Sequence, residues 1–348
     1  MRSSAEIKPR TIALEASSAC QLRCPACPNA EGKIRSTLGS GFLKFADFKS
    51  TLNNNTYVNE VFLSEWGEPL LNPELIEMLQ YAYKNGVRLI ASSNLNTMTR
   101  SLAEALVKYQ FHYLVCSIDG ADNGSYHAYR RGGSFERVID NIKMINEFKR
   151  AYHSKYPELT WQYIAFGHNE QMIGAARKMA QDLNMRFYLK LAWGPIFGGE
   201  AYSPVKNKEL VRAETGLGAA SIEEFYQKYG VAFEREICTQ LWGAPRVTFN
   251  GRVIGCCVSF WGDYGNAFRE GLLNIFNNEK MSYARAMLMG EKPPRSDIAC
   301  ATCWFYNIMA TDHKWLSREE ILAQSPTFGN RLTSSLTKIR RKYFWTHT

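Results

Sequence analysis

The sequence predicts an α/β fold, with parallel strands joined by helical crossovers into an open or partial barrel and a small cysteine-bearing unit after it. Three observations carry this prediction. Short apolar strands alternate with amphipathic helices from residue 11 to about 195, and repeated β-α units of that length demand parallel pairing. The cysteines gather at two places, 20, 24 and 27 and then 238, 256, 257, 300 and 303, with Cys116 alone between. Cys20–Cys27, Gly67–Pro69, Ser93–Asn96 and Ser117–Gly120 all fall at or just after a strand, where a parallel sheet collects its ligands.

The elements follow in order. "TIALEAS" reads as the first strand. "YVNEVFLSEW" reads as the second, before the helix "NPELIEMLQYAYKNG", whose Pro73 suits a first turn and Gly86 a C-cap. "VRLIASSN" is the third strand, with a helix from Ser101 to Tyr109; "FHYLVCSIDG" is the fourth, with the periodic helix "SFERVIDNIKMINEFKRAY". "LTWQYIAFG", its helix "NEQMIGAARKMAQDLN" and "RFYLKLAWG" complete six strands. The expected domains are a barrel at 10–195, a connector at 196–237, a cysteine-bearing unit at 238–315 and a basic tail at 316–348. In the connector "GPIFGGEAYSPVKNKE" reads as loop and "SIEEFYQKYG" as a short helix. Beyond it "RVTFNGRVIGCC" reads as a hairpin about an Asn-Gly turn.

With 348 residues the chain is too long for one small core. No apolar run is long enough to span a membrane, and "MRSSAEIKPR" lacks the apolar stretch of a secretory signal, so a cytoplasmic protein is expected. Nine cysteines in a reducing compartment argue for metal or redox chemistry over disulfides. The net charge of +9 includes Lys338, Arg340, Arg341 and Lys342 in the tail. That run reads as a solvated helix end or a contact for a phosphorylated substrate, with no stable nucleic-acid partner expected.

"CQLRCPAC" places Cys20, Cys24 and Cys27 on one compact loop. Three thiolates suit three irons of a [4Fe–4S] cluster and leave the fourth iron open to a small molecule; a closed zinc site would need a fourth ligand from far along the chain. Together with the segments that follow, this loop resembles the radical S-adenosylmethionine superfamily. Its members carry CxxxCxxC after the first strand of a partial (β/α)6 TIM-like barrel. The resemblance implies that S-adenosylmethionine binds the open iron and, on reduction, yields a 5′-deoxyadenosyl radical. "WGEPLLNP" resembles the Gly-Gly-Glu-Pro segment, with Trp66 in place of the first glycine. It implies that Gly67 allows close backbone approach and that Glu68 accepts from the cofactor's ammonium. "SSNLNT" (Ser93, Asn94), "CSIDG" (Ser117 toward the ribose), "YRRGGSFERV" (Arg130 toward the methionyl carboxylate) and "GHNEQM" (Asn169) match the remaining cofactor-binding positions. Alternation places Cys116 toward the helices if Ser117 faces the barrel.

In the second set two chain segments each supply two thiolates, enough to saturate a cluster, with zinc as the alternative. The set resembles the SPASM extension in its shortened "twitch" form, since no cysteine follows "CATC". The resemblance implies one auxiliary [4Fe–4S] cluster on Cys238, Cys256, Cys300 and Cys303, with Cys257 able to replace Cys256. A spare Cys257 could instead return a hydrogen atom to a substrate radical, as in epimerases of the superfamily.

The expected function is a radical oxidoreductase acting on a sugar, an aminocyclitol or a nucleotide-linked sugar, with a flavodoxin- or ferredoxin-type reductant. An epimerase using Cys257, a peptide-modifying maturase and a non-enzymatic iron–sulfur carrier or scaffold are the alternatives. The start of the chain ten residues before the first strand counts against a leader-binding domain, and so against the maturase.

Overall fold

A computed structural model of the protein describes residues 6–193 and 202–323. Its strands are β1 (Thr11–Leu14), β2 (Glu60–Phe62), β3 (Arg88–Ser93), β4 (Tyr113–Ser117), β5 (Glu158–Ala165), β6 (Arg186–Leu191), β7 (Arg246–Val247) and β8 (Val253–Gly255). They form one sheet in the order 6-5-4-3-2-1-7-8. All neighbours are parallel except β7 and β8, which make the expected hairpin. Gly251 supplies that turn with φ +89°, in the left-handed region, and its N–H donates to Thr248 O at 2.9 Å.

The six expected barrel strands are present. The sheet, however, does not stop at residue 195. Ala13 and Leu14 pair with Arg246 and Val247, so the expected domain boundary at 237 runs through a continuous sheet.

Helices α1 (Lys33–Leu38) and α2 (Phe45–Asn54) join β1 to β2, and α3 (Leu75–Lys84) joins β2 to β3. Next come α4 (Arg100–Lys108), α5 (Asn123–Tyr129), α6 (Phe135–Ala151) and α7 (Ile173–Asp182). The connector carries α8 (Lys208–Thr215) and α9 (Ile222–Tyr229). After it come α10 (Gln240–Gly243), α11 (Ala267–Glu270), α12 (Leu272–Phe276), α13 (Glu279–Leu288), α14 (Trp304–Asp312) and α15 (Arg318–Leu322).

Helix α6 shows why these segments are helical. Ser134 Oγ caps it by accepting the Arg137 N–H at 3.2 Å, and Phe135, Val138, Ile142 and Ile145 recur at helical spacing on the buried face. That face joins a large core with the outward residues of the sheet, among them Ile12, Leu14, Val61, Leu114 and Trp161. Ala13, Phe62, Ile90, Tyr113 and Val115 form a second cluster on the other face, inside the barrel. Cys116 belongs to the outer core and Ser117 follows on the inner face, so their expected alternation holds.

Three expectations shift. Pro73 lies outside the first turn of α3: Asn72 accepts the Glu74 N–H at 2.8 Å and ties down Ala16 O and Leu43 O, so the helix starts at Leu75. Helix α8 begins inside the segment read as loop, with Asn207 Oδ1 capping Leu210 N at 3.0 Å. Helices α1 and α2 lie in a stretch for which no element was expected. Residues 194–201 and the basic tail from 324 onward, with Lys338, Arg340, Arg341 and Lys342, lie outside the described residues.

Candidate active site

The cysteine loop leaves β1 at the carboxyl end of the sheet. Cys20 is exposed, Cys27 half-buried and Cys24 buried. The loop is tied to its surroundings by backbone: Arg23 N donates to Arg131 O at 2.9 Å and Glu68 N to Ala19 O at 2.8 Å. The second contact explains Gly67. A Cβ there would lie 2.2 Å from Ser17 O and 2.6 Å from Ser18 C, so the glycine lets the β2 loop lie flat on the start of the cysteine loop. Its close approach is thus to the chain's own backbone.

Glu68 is buried, and its carboxylate already accepts three hydrogen bonds. Oε1 takes Ser93 Oγ at 2.8 Å and Leu70 N at 3.1 Å, and Oε2 takes Asn94 N at 2.7 Å. Burial raises its pKa above the usual carboxylate range, against the lowering effect of those bonds. One lone-pair direction remains for a ligand's cationic group. Asn94 turns toward the cysteines: its Oδ1 accepts from Gln21 Nε2 at 2.8 Å, and its Nδ2 lies 3.7 Å from Cys20 Sγ. Ser117 is half-buried at the end of β4.

Arg130, which caps the C-terminus of α5, is already paired with a carboxylate of the chain itself. Its Nε donates to Asp119 Oδ2 at 2.6 Å, NH2 pairs with the same oxygen, and NH1 stands 3.8 Å from Cys24 Sγ. Asn169 departs further from expectation. Its Nδ2 donates to Asp119 O and Ile164 O, and its Oδ1 accepts the Phe166 N–H at 2.8 Å. With both amide donors taken, Asn169 has none for a cofactor; it fixes the ends of β4 and β5 instead. Asp119, which sequence reasoning passed over, is the common partner of both. Its only sequence signal was its place in "CSIDG".

The second cysteine set converges. Cys238, Cys256, Cys300 and Cys303 line one small cavity together with Ile237, Leu241, Leu288 and Phe305. The expected turning of Cys256 back toward Cys238 is present. Burial raises the pKa of all four thiols, so they become thiolates when a cation takes the proton's place. The sulfurs ring a space instead of meeting at a point. Among the described residues no three Cys, His, Asp or Glu side chains stand close enough to hold a single metal ion. The donor set suits a polynuclear cluster with four protein ligands.

Cys257 does not line that cavity. Gln240 Oε1 accepts both the Cys257 N–H at 2.9 Å and Arg246 Nε at 3.1 Å, and two donors on one oxygen fix the amide's orientation. Gln240 Nε2 then points at Cys257 Sγ, 3.4 Å away. Arg246 stacks over the Phe62 ring, on the inner face of the barrel, and pairs with Glu65 at 3.2 Å. Glu65, Arg246 and Gln240 were not anticipated; nothing local in the sequence marks a buried charge pair.

The comparisons with known proteins agree with this geometry. A model of the Radical SAM superfamily matches residues 14–156, and a model of the SPASM iron–sulfur cluster-binding domain matches residues 238–304. An AdoMet-dependent heme synthase of Methanosarcina barkeri is 30% identical over 142 residues, 40% of each chain. A second, from Nitratidesulfovibrio vulgaris, is 26% identical over 140 residues, 40% of this chain and 37% of the relative. The chain thus matches about two fifths of the length of these curated relatives. The crystal structure of Streptococcus suis SuiB bound to S-adenosylmethionine shares the fold, with TM-score 0.61 and 17% identity over 86% of this chain and 72% of SuiB. SuiB bound to its precursor peptide SuiA gives TM-score 0.62 and 15% identity, over 86% and 70%. The chain belongs to the radical SAM superfamily, with a SPASM-type iron–sulfur extension, and its cofactors are [4Fe–4S] clusters and S-adenosylmethionine.

Proposed function

We propose that the protein oxidises a polar small molecule, a sugar, aminocyclitol or nucleotide-linked sugar, after abstracting hydrogen from one of its carbons. The carrying observation is the small cavity lined by four buried thiols. Four protein ligands leave no iron open to substrate, so this extension serves electron traffic, as a two-electron oxidation requires. When bound, the cofactors supply a 5′-deoxyadenosyl radical at the barrel and an electron acceptor in the extension. Cys20, Cys24 and Cys27 would hold the first cluster and Cys238, Cys256, Cys300 and Cys303 the second. Glu68 and Asn94 would orient S-adenosylmethionine, with Gly67, Ser93 and Asn169 holding their frame and Ser117 facing the ribose.

A polar substrate suits the barrel mouth. Arg246 of β7 pairs with Glu65 at 3.2 Å, and Lys190 of β6 with Glu234 at 3.4 Å, so polar groups accompany both strands. The heme synthases share about two fifths of their length with this chain, so their substrate is not carried over.

Anaerobic reconstitution tests the reading. The wild type should bind about eight irons, two clusters' worth, and form 5′-deoxyadenosine on reduction with S-adenosylmethionine. Cys24→Ala should halve the iron and abolish cleavage. A wild type holding only half that iron would remove the second cluster and the oxidation with it.

One observation favours a second reading, epimerisation: Cys257 lies outside the auxiliary cavity, beside Arg246 and the barrel. In that case Cys257→Ala keeps its full iron and still forms 5′-deoxyadenosine but no product, and wild-type product made in deuterated water carries deuterium. In an oxidation the variant still makes product and no solvent deuterium enters.

A further inference from the structure

Arg130 is held more firmly than an arginine waiting for a ligand. Two of its nitrogens are fixed on Asp119 Oδ2, and its plane lies over the Tyr129 ring, 5.3 Å from the centroid. Asp119 is in turn immobilised: it has no exposed surface, its Oδ1 accepts the Ile164 N–H at 2.6 Å, and its backbone oxygen accepts from Asn169. Its φ of +55° lies in the left-handed region that aspartate tolerates better than most residues, so the turn itself aims the carboxylate at Arg130. The outcome is a cation clamped with its third nitrogen toward Cys24 Sγ, at 3.8 Å.

A fixed N–H donor and positive charge beside a cluster thiolate stabilise the reduced, more negative cluster over the oxidised one. The effect is larger in a buried, low-dielectric setting. A nearby carboxylate works against it. We propose that Arg130 and Asp119 together set the reduction potential of the cluster carried by Cys20, Cys24 and Cys27. Arg130 acts through Cys24, and Asp119 is the positioning residue that holds the guanidinium and cancels part of its charge. This rests on the assignment of those cysteines made above.

The test is an EPR-monitored redox titration of the reconstituted full chain, following the cluster signal that S-adenosylmethionine perturbs. Arg130→Gln should make the cluster about tenfold harder to reduce, a shift of about 59 mV to more negative potential for one electron. Asp119→Asn should shift it by a similar amount the other way, because the cation stays and its counter-charge goes. Arg130→Lys should restore most of the wild-type potential. Should Arg130→Gln fail to assemble, the sign of the Asp119→Asn shift decides alone. Potentials unmoved, or both variants shifting in one direction as general loosening of the loop would cause, overturn the proposal. A wild type with no signal sensitive to S-adenosylmethionine fails at the cluster assignment instead.

Discussion

Glu15 has no exposed surface, yet it is a carboxyl group in the middle of the molecule. Its Oε1 accepts the Trp66 N–H at 3.1 Å and its Oε2 the Phe249 N–H at 3.4 Å, so it links the β2 loop to the β7–β8 hairpin. Burial pushes its pKa up to about 8, with Glu65 adding to the rise and those hydrogen bonds opposing it. In the unfolded chain the same group ionises near its ordinary value of 4.5. The fold therefore keeps a proton that the unfolded chain loses. Its contribution to stability is full below about pH 4.5 and falls as pH rises toward 8, by about a few kcal/mol at most. Glu15→Gln should flatten this slope, so that wild type and variant converge in acid and separate toward pH 8. Melting temperatures recorded from pH 5 to 8 check it, and parallel curves would refute it. Glu15, Glu65 and Asp119 escaped sequence reasoning for one reason. Burial of a charge is decided by segments distant in the chain, whereas the cysteines announce themselves by chemistry and spacing alone.

The elements that position the site were largely legible because each strand–helix unit carries its own signal: an apolar run, a cap, a period. Their limits were less so. "TIALEAS" reads as seven strand residues, but the strand assigned within it ends at Leu14, and Glu15–Ser17 turn to meet the β2 loop and the hairpin. Helices α1 and α2 bury only Ile34 and Leu38, and Phe48, Thr51 and Leu52, a weak apolar stripe in sequence. The contact between the β2 loop and the cysteine loop is the element-level feature with the sharpest consequence. Gly67→Ala would drive a methyl group into the backbone of Ser17 and Ser18. We expect the cysteine loop to be displaced, with loss of iron from the first cluster while the second is retained. Iron content near half that of the wild type, with the fold intact by circular dichroism, is the predicted result; full iron content would show that the loop yields without cost.

At the scale of the whole molecule, the two cysteine sets are joined by sheet, not by a flexible linker. Five residues separate strand β7 from β8, β8 leads directly to Cys256, and β7 itself pairs with β1, after which Cys20 follows. The hairpin was legible in its Asn-Gly turn, but the pairing of β7 with β1 was not: a two-residue strand has no periodicity, and its partner lies more than two hundred residues earlier. The pairing has a meaning for how the chain comes into being. β1 leaves the ribosome long before β7, and β2 can join it soon afterwards. Its other edge waits, with bare N–H and C=O groups, until Arg246 and Val247 have been synthesised. Until then the nascent barrel exposes a raw strand edge of the kind that recruits other chains, and the late hairpin closes it. The cysteine-bearing extension thus doubles as the cover of the edge that β1 would otherwise leave open.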